Sequence, residues 1–470
     1  MALTADDTDG LPLPERRWAV LAISVGLVMA VLNTAIVNIA LPTIARDLGV
    51  SPAASVWVVS AFQLAVTVSV LPMASLGDIL GYRRVYIGGL IGFTIASLAC
   101  AMSDSLVTLI VARVLQGFGA AGLMSVNMAL VRFIYPRRLL GSGIGLNVLI
   151  VAVVAATGPS VAAAILAAAP WQWLFLVNVP FGIATLGLSL GFLPRTERAR
   201  HRFDFVSAAL TALTFGLLIT GIDSLGHAGG MPVVAAELAL AVLLGTALVF
   251  REARRPHPLL PVDLFRYPAF ALSAATSFCS FAAQGLAFVS LPFYFQDVAG
   301  RSQVETGLLM TPWPLAIAVV APLAGRLADR HPAGLLCTFG LAVLGAGLVL
   351  VAFLPPHAET ADIVWRMLLC GLGFGFFQTP NNRMLVDSAP RERSGAVSGI
   401  MPTARLLGQT TGAALVAVVF ALTLRRGGAA AGAEAAALVA SGFAIAGAIA
   451  SGLRLVEFRR PGPGQGAAGG

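Results

Sequence analysis

The sequence predicts an all-α membrane protein that crosses the bilayer fourteen times. Hydrophobic residues make up 58% of the chain against 11% charged, and the mean hydropathy of +0.88 lies far above that of a soluble domain. Apolar runs of spanning length recur, and the connections between them are short. Lipid offers no partner to a backbone N–H or C=O, so each crossing must be a helix of roughly 20 mainly apolar residues.

The runs fall at 18–41, 54–76, 85–102, 106–130, 143–166, 173–193, 205–224, 231–250, 270–292, 306–325, 334–354, 364–382, 400–422 and 434–453. Ahead of the first, Asp6, Asp7 and Asp9 precede Arg16 and Arg17. That is neither the basic opening nor the small-residue cleavage site of a signal peptide, so the first helix is expected to be retained. The thirty basic residues are all arginine, and twenty-three of them fall on one side of the proposed crossings. Arg46, Arg301, Arg425 and Arg426 fall on the other, and Arg113, Arg366 and Arg405 lie within spans. This bias predicts that both termini are cytoplasmic. The net charge of +8 is spread in small groups along one membrane face and gives no reason to expect nucleic acid as a partner. Cys100, Cys279, Cys337 and Cys370 are scattered in apolar runs without metal-ligand spacing and read as small hydrophobes.

The chain also repeats itself. Ala74-Ser75-Leu76-Gly77-Asp78 leading to Gly81-Tyr82-Arg83-Arg84 matches Leu323 to Arg330, with Asp78 opposite Asp329 at an offset of 251. Arg113 before Gly117-Phe118-Gly119 matches Arg366 before Gly371-Leu372-Gly373 at an offset of 253, and Tyr135-Pro136-Arg137-Arg138 matches Ala389 to Arg393 at 254. Three matches at nearly one offset predict two homologous six-helix bundles, 18–193 and 267–453. The two helices of 194–266 are inserted between them, with tails 1–17 and 454–470 at the ends. Halves of this kind facing a central site suit a secondary transporter that rocks between two access states.

The motifs resemble those of the major facilitator superfamily, and within it the fourteen-span drug:proton antiporters, over nearly the whole chain. Ala74 to Arg84 resembles the superfamily's signature loop at Asp78, Gly81 and Arg83, with Ala74 in place of its first Gly and Ile79 in place of a usual basic residue. Arg113-Val114-Leu115-Gln116-Gly117-Phe118-Gly119-Ala120-Ala121 is similar to the fourth-span motif. Gly158-Pro159 resembles the antiporter motif, although Ala162 and Ala163 replace its paired glycines. Trp171 to Gly182 and Pro258 to Arg266 are similar to signatures of the fourteen-span group. Leu32 to Pro42 resembles the first-span motif, with Asn33 in place of its usual Asp.

The resemblance implies the major facilitator fold, arranged as 6+2+6, and coupling or gating roles for Arg113, Asp78, Gly81, Arg83, Gly158 and Pro159. Elementary chemistry agrees in part. An ionisable group at membrane depth costs roughly 2.5–3.5 kcal/mol to insert, so Arg113 is a functional candidate, with a buried structural cation as the plain alternative. Asp78 is placed to bond free N–H groups at a neighbouring helix start, and Gly81 to turn the chain. An amide cannot carry a proton, so Asn33 positions substrate at most, and the proton carrier must be sought among Glu237, Asp223 and more peripheral carboxylates. Substrate-pathway candidates are Asn33, Asn38, Gln63, Gln116, Asn127, Asn147, Trp313, Gln378, Asn381 and Asn382, each equally suited to an interhelical hydrogen bond.

The expected function is export of drugs or other amphipathic small molecules from the inner membrane, driven by the proton gradient and without a cofactor. The alternatives are an exporter of one endogenous metabolite, or a sensor or scaffold that moves nothing. No nucleotide loop, catalytic triad or metal-ligand cluster points to an enzyme. A functional monomer in the lipid bilayer is expected, and nothing in the sequence identifies a periplasmic adaptor partner.

Overall fold

The computed structural model describes residues 10–136, 139–196, 203–224, 231–255, 262–328, 330–355, 358–388 and 394–457. Among them every regular element is helical. In chain order the α-helices are α1 (Leu13–Asp47), α2 (Pro52–Ser55), α3 (Trp57–Leu80), α4 (Tyr82–Ala101), α5 (Leu106–Ile134), α6 (Leu140–Ala168), α7 (Trp173–Leu176) and α8 (Asn178–Phe192). They continue as α9 (Phe205–Ser224), α10 (Met231–Glu252), α11 (Pro268–Phe293), α12 (Gln303–Met310), α13 (Pro312–Ala328), α14 (Ala333–Ala352), α15 (Thr360–Asp387) and α16 (Ser394–Glu457). A π-helical turn, Tyr294–Val298, extends α11.

Thirteen helical stretches among the described residues are long and apolar enough to cross a membrane. α6, at the place of the fifth expected crossing, is 29 residues long. Large apolar side chains such as Ile95, Val107, Val242 and Val319 are between 64% and 72% exposed, which makes sense only against lipid. α16 covers the last two expected crossings. A straight helix would hold residues 420 and 432 about 18 Å apart. A Cβ at Gly432 would instead lie 2.7 Å from the Phe420 ring, so the chain doubles back between them.

By packing, the chain divides into two compact units. One comprises Met1–Leu259, Phe288–Thr311 and Ala413–Ala433, and the other Leu260–Ala287, Pro312–Gly412 and Glu434–Gly470. The repeat legible in the sequence reappears as equivalent helix contacts inside each unit. In the first, α3 and α5 meet where a Cβ at Gly117 would lie 2.7 Å from that of Ala65; in the second, α13 and α15 meet where a Cβ at Gly371 would lie 2.7 Å from that of Ala316. α4 meets α5 where a Cβ at Gly89 would lie 2.8 Å from the Gly119 carbonyl oxygen, and α14 meets α15 where one at Gly340 would lie 2.6 Å from that of Gly373. Gly158 of α6 closes on Ala35 of α1, and Gly285 of α11 on Gln409 of α16, both at 2.7 Å. These pairs are offset by 250 to 254 positions, the interval of the motif matches. Lipid gives helices no hydrophobic reason to associate, so close backbone approach at small residues supplies the packing.

The inserted helices α9 and α10 are tied at one end by Asp204, which pairs with Arg251 and Arg255 at 3.0 Å each. Ser207 donates its hydroxyl to Asp204 Oδ2 at 2.8 Å. Burial pushes the Asp204 carboxyl up, but the Ser207 and Arg251 hydrogen bonds and the Arg251 charge outweigh it and hold it at about 2.

Candidate functional site

Arg113, on α5, is wholly buried, and its guanidinium is met by groups of α1, α3, α5 and α7. Its Nε donates to the Val58 carbonyl of α3 at 2.8 Å. One terminal nitrogen, Nη1, donates to Asn33 Oδ1 of α1 and, at 2.6 Å, to Gln116 Oε1 one turn along α5. Gln116 passes the network on through Nε2 to the Ser97 hydroxyl of α4, at 2.8 Å. The Phe62 ring centre lies 4.1 Å from the guanidinium carbon and that of Phe175, on α7, 5.6 Å. Such contacts attract a cation, the more so where water is excluded. No ion pair reaches Arg113 among the described residues. Its second terminal nitrogen, Nη2, and the Asn33 amide nitrogen are buried without a hydrogen-bond partner.

Asn33, Gln116 and Arg113, singled out separately in the sequence, thus belong to one cage. Gln63 and Asn38 are 4% and 6% exposed, each with an amide oxygen that finds no partner. Asn127 donates to Asn147 Oδ1 at 3.0 Å and joins α5 to α6. Trp313 is buried at the α13–α15 crossing, whereas Gln378 and Asn382 are half-buried. Asn381 is engaged on both sides of its amide: Nδ2 donates to the Ser273 carbonyl and the Ser277 hydroxyl, and Oδ1 accepts from Arg454 at 2.9 Å.

The loop at Asp78 departs from the expected contact. The Tyr82 hydroxyl donates to Asp78 Oδ1 at 2.5 Å, while the backbone N–H of Tyr82 at the start of α4 goes to the Thr196 hydroxyl at 3.0 Å. Gly81 has φ +94°, a conformation that turns the chain sharply and brings the phenol, four residues on, to the carboxylate first. Arg83 donates to the Leu190 carbonyl, which ties the same turn to α8. Of the carboxylates, Glu237 has one oxygen buried without a partner beside Gly221 of α9. The side chain of Asp223 lies outside the described residues.

Two groups were not legible beforehand. Arg454, read as the first residue of the tail, lies inside α16 at 1% exposure. It bonds Ser273 at 2.8 Å, Asn381, and Ser451 at 2.7 Å, linking α11, α15 and α16. Within the first unit, the end of α1 is clasped to the segment after α11. Gln296 donates to the Ile39 carbonyl at 2.9 Å and accepts from Arg46, and Gln303 donates to the Thr43 hydroxyl at 2.6 Å. The Ser160 and Thr311 hydroxyls meet at 2.8 Å nearby. The glutamines sit at the ends of apolar runs, where polar residues usually face water, so their sequence carries no signal of pairing.

Helix contacts repeated in both units, with an arginine buried among the crossings of the first, suit a polytopic membrane transporter. Residues 23–413 match the Major Facilitator Superfamily, and the chain belongs to it. It is 54% identical over 453 residues to the uncharacterized transporter YebQ of Escherichia coli (strain K12), covering 96% of this chain and 98% of the relative. It is 33% identical over 410 residues to the multidrug resistance protein Stp of Mycobacterium tuberculosis (strain CDC 1551 / Oshkosh), covering 86% and 76%. The crystal structure of a bacterial homolog of the human lysosomal transporter Spinster, inward-facing and unoccupied, shares the fold. Its TM-score is 0.69 at 17% identity, covering 96% of this chain and all of that one. The protein is therefore a multi-pass membrane transporter and not an enzyme.

Proposed function

We propose that the protein exports drugs and other amphipathic small molecules across the inner membrane by alternating access, driven by the proton gradient, with both termini in the cytoplasm. The observation that carries this reading is the Arg113 cage. A guanidinium at membrane depth that joins α1, α3, α4 and α5 registers any movement between those helices. Resemblance to antiporters in the motif around it, and the multidrug resistance role in the name of Stp, support the drug substrate. Asn33 cannot carry the proton, which leaves Glu237, with its unpartnered buried oxygen, as the first described carboxylate to test.

Proteoliposomes with an imposed pH gradient test the reading. Purified protein is expected to accumulate an amphipathic dye against its gradient while the proton gradient lasts, and Glu237→Gln to abolish that accumulation. Dye movement unaffected by collapse of the gradient would rule out proton coupling.

A further inference from the structure

We propose that Arg113 and Asn33 are the receptor for an anionic group on the transported compound, so that this transporter takes amphiphiles bearing a carboxylate or a comparable anion. The inference rests on the transporter reading above and names its substrate class. Every acceptor that Arg113 meets is neutral: the Val58 carbonyl, the Asn33 amide and the Gln116 amide. A buried cation without a counter-ion is costly, and neutral acceptors offset only part of that cost. The two polar groups left without partners in the cage, Arg113 Nη2 and Asn33 Nδ2, are both donors.

Their orientation follows from charge. The cation draws the Asn33 oxygen toward itself, which turns the amide N–H groups away and leaves them free to donate. A donor pair of this kind, one member charged, is complementary to a carboxylate, which accepts on both oxygens. Phe62 and Phe175 stand against the same guanidinium and offer an apolar wall to the rest of an amphiphile. The repeat supplies a contrast. Arg366, one residue from the position that the α5 and α15 crossings match to Arg113, already has its carboxylate, Asp362 at 3.0 Å, whereas Arg113 has none among the described residues. An Asp at position 33 would close the first site in the same way, and Asn33 keeps it open. Arg113 is buried here, so the anion enters in a conformer in which α1 and α5 face water.

The test measures equilibrium binding to the full-length protein in lipid nanodiscs, with no gradient, of three compounds sharing one ring system: 2-naphthoate, 2-naphthamide and 2-naphthylmethylammonium. The wild type is expected to bind the carboxylate at least about tenfold more tightly than either of the others, the margin of a charge-assisted pair. Asn33→Asp is expected to erase that preference by supplying an internal carboxylate, and Arg113→Gln by removing the cation. If Arg113→Gln does not fold, Asn33→Asp decides alone, since it adds an ion pair. Equal binding of the ammonium by the wild type, or a carboxylate preference that survives in Asn33→Asp, overturns the proposal. Chloride binding that excludes the naphthoate without being displaced by it would assign the site to an inorganic anion and overturn it too. Failure of proton-driven export would remove the exporter reading and leave this binding result standing.

Discussion

Arg113 carries its charge at membrane depth on three neutral acceptors and two aromatic faces, drawn from α1, α3, α5 and α7 of the first unit. Truncation to Ala relieves a burial cost of roughly 2.5–3.5 kcal/mol, so the protein is expected to reach the membrane at wild-type levels. Transport is expected to fall to background because nothing then links Val58, Asn33 and Gln116. Arg113→Lys is expected to lose most activity as well: an ammonium is a compact point charge and cannot hold the fork that reaches all three acceptors. Immunoblots of membranes alongside dye efflux from the same cells separate the two effects, and full efflux by Arg113→Ala would remove the residue from the mechanism. The arginine itself was legible because a charge inside an apolar run has few harmless explanations. Its partner at Val58 was not, since a backbone carbonyl is anonymous in sequence. Arg454 was missed for a related reason: at the edge of an apolar run an arginine usually reaches water, and one further helical turn buries this one.

At the scale of helices, the close crossings make a matched pair of substitutions informative. A Cβ at Gly89 would meet the Gly119 carbonyl and Gly122 Cα across the α4–α5 crossing, while the neighbouring Gly88 has nothing within 4 Å. Gly89→Val is therefore expected to destabilise the protein by about 1–3 kcal/mol through overpacking. Gly88→Val, facing open space, is expected to leave the melting temperature in detergent unchanged or slightly raised. Equal melting temperatures for the two variants would mean that the crossing is not close. The anchor of α9 and α10 carries a pH signature. The Asp204 carboxyl is held at about 2, below the ordinary carboxylate value near 3.9. Its stabilisation is fully present above the ordinary value and is lost as pH falls through about 2. Asp204→Asn is expected to melt below the wild type at neutral pH, and the difference to shrink toward zero between about pH 4 and pH 2. A gap that stays constant over that range would show that the carboxylate charge is not what ties these helices. Helix pairing was readable from the repeat because the glycines that permit it recur at the same interval as the motifs. The Asp204 anchor was not, because arginines following an apolar run look alike whether they serve topology or a carboxylate.

At the scale of the molecule, alternating access requires that whatever closes one end of the helical assembly in one state opens in the other. The clasp inside the first unit is the described candidate: Gln296 on the Ile39 carbonyl and Arg46, and Gln303 on Thr43, all at the end of α1. Its strength suits the task. Neutral hydrogen bonds contribute roughly 0.5–1.5 kcal/mol each, and the exposed one from Arg46 is weakened by water, so a handful can be exchanged in a transport cycle without trapping one state. Replacing Thr43 and Gln303, whose side chains meet at 2.6 Å through the full length of the glutamine, by cysteines and bridging them with a short reducible bis-thiosulfonate makes that exchange controllable. The native cysteines interfere little, because Cys100, Cys337 and Cys370 are buried and Cys279 is half-buried. Bridging Thr43→Cys/Gln303→Cys with that reagent is expected to stop dye efflux by holding the clasp shut, and a reducing agent to restore it, while either single variant stays active under both treatments. Cross-linked protein that still transports would mean that this end of α1 does not move during the cycle. The gate would then have to be sought at the opposite ends of the helices, around Asp78, Gly81 and Thr196, where the Tyr82 contacts tie the loop in the state described here.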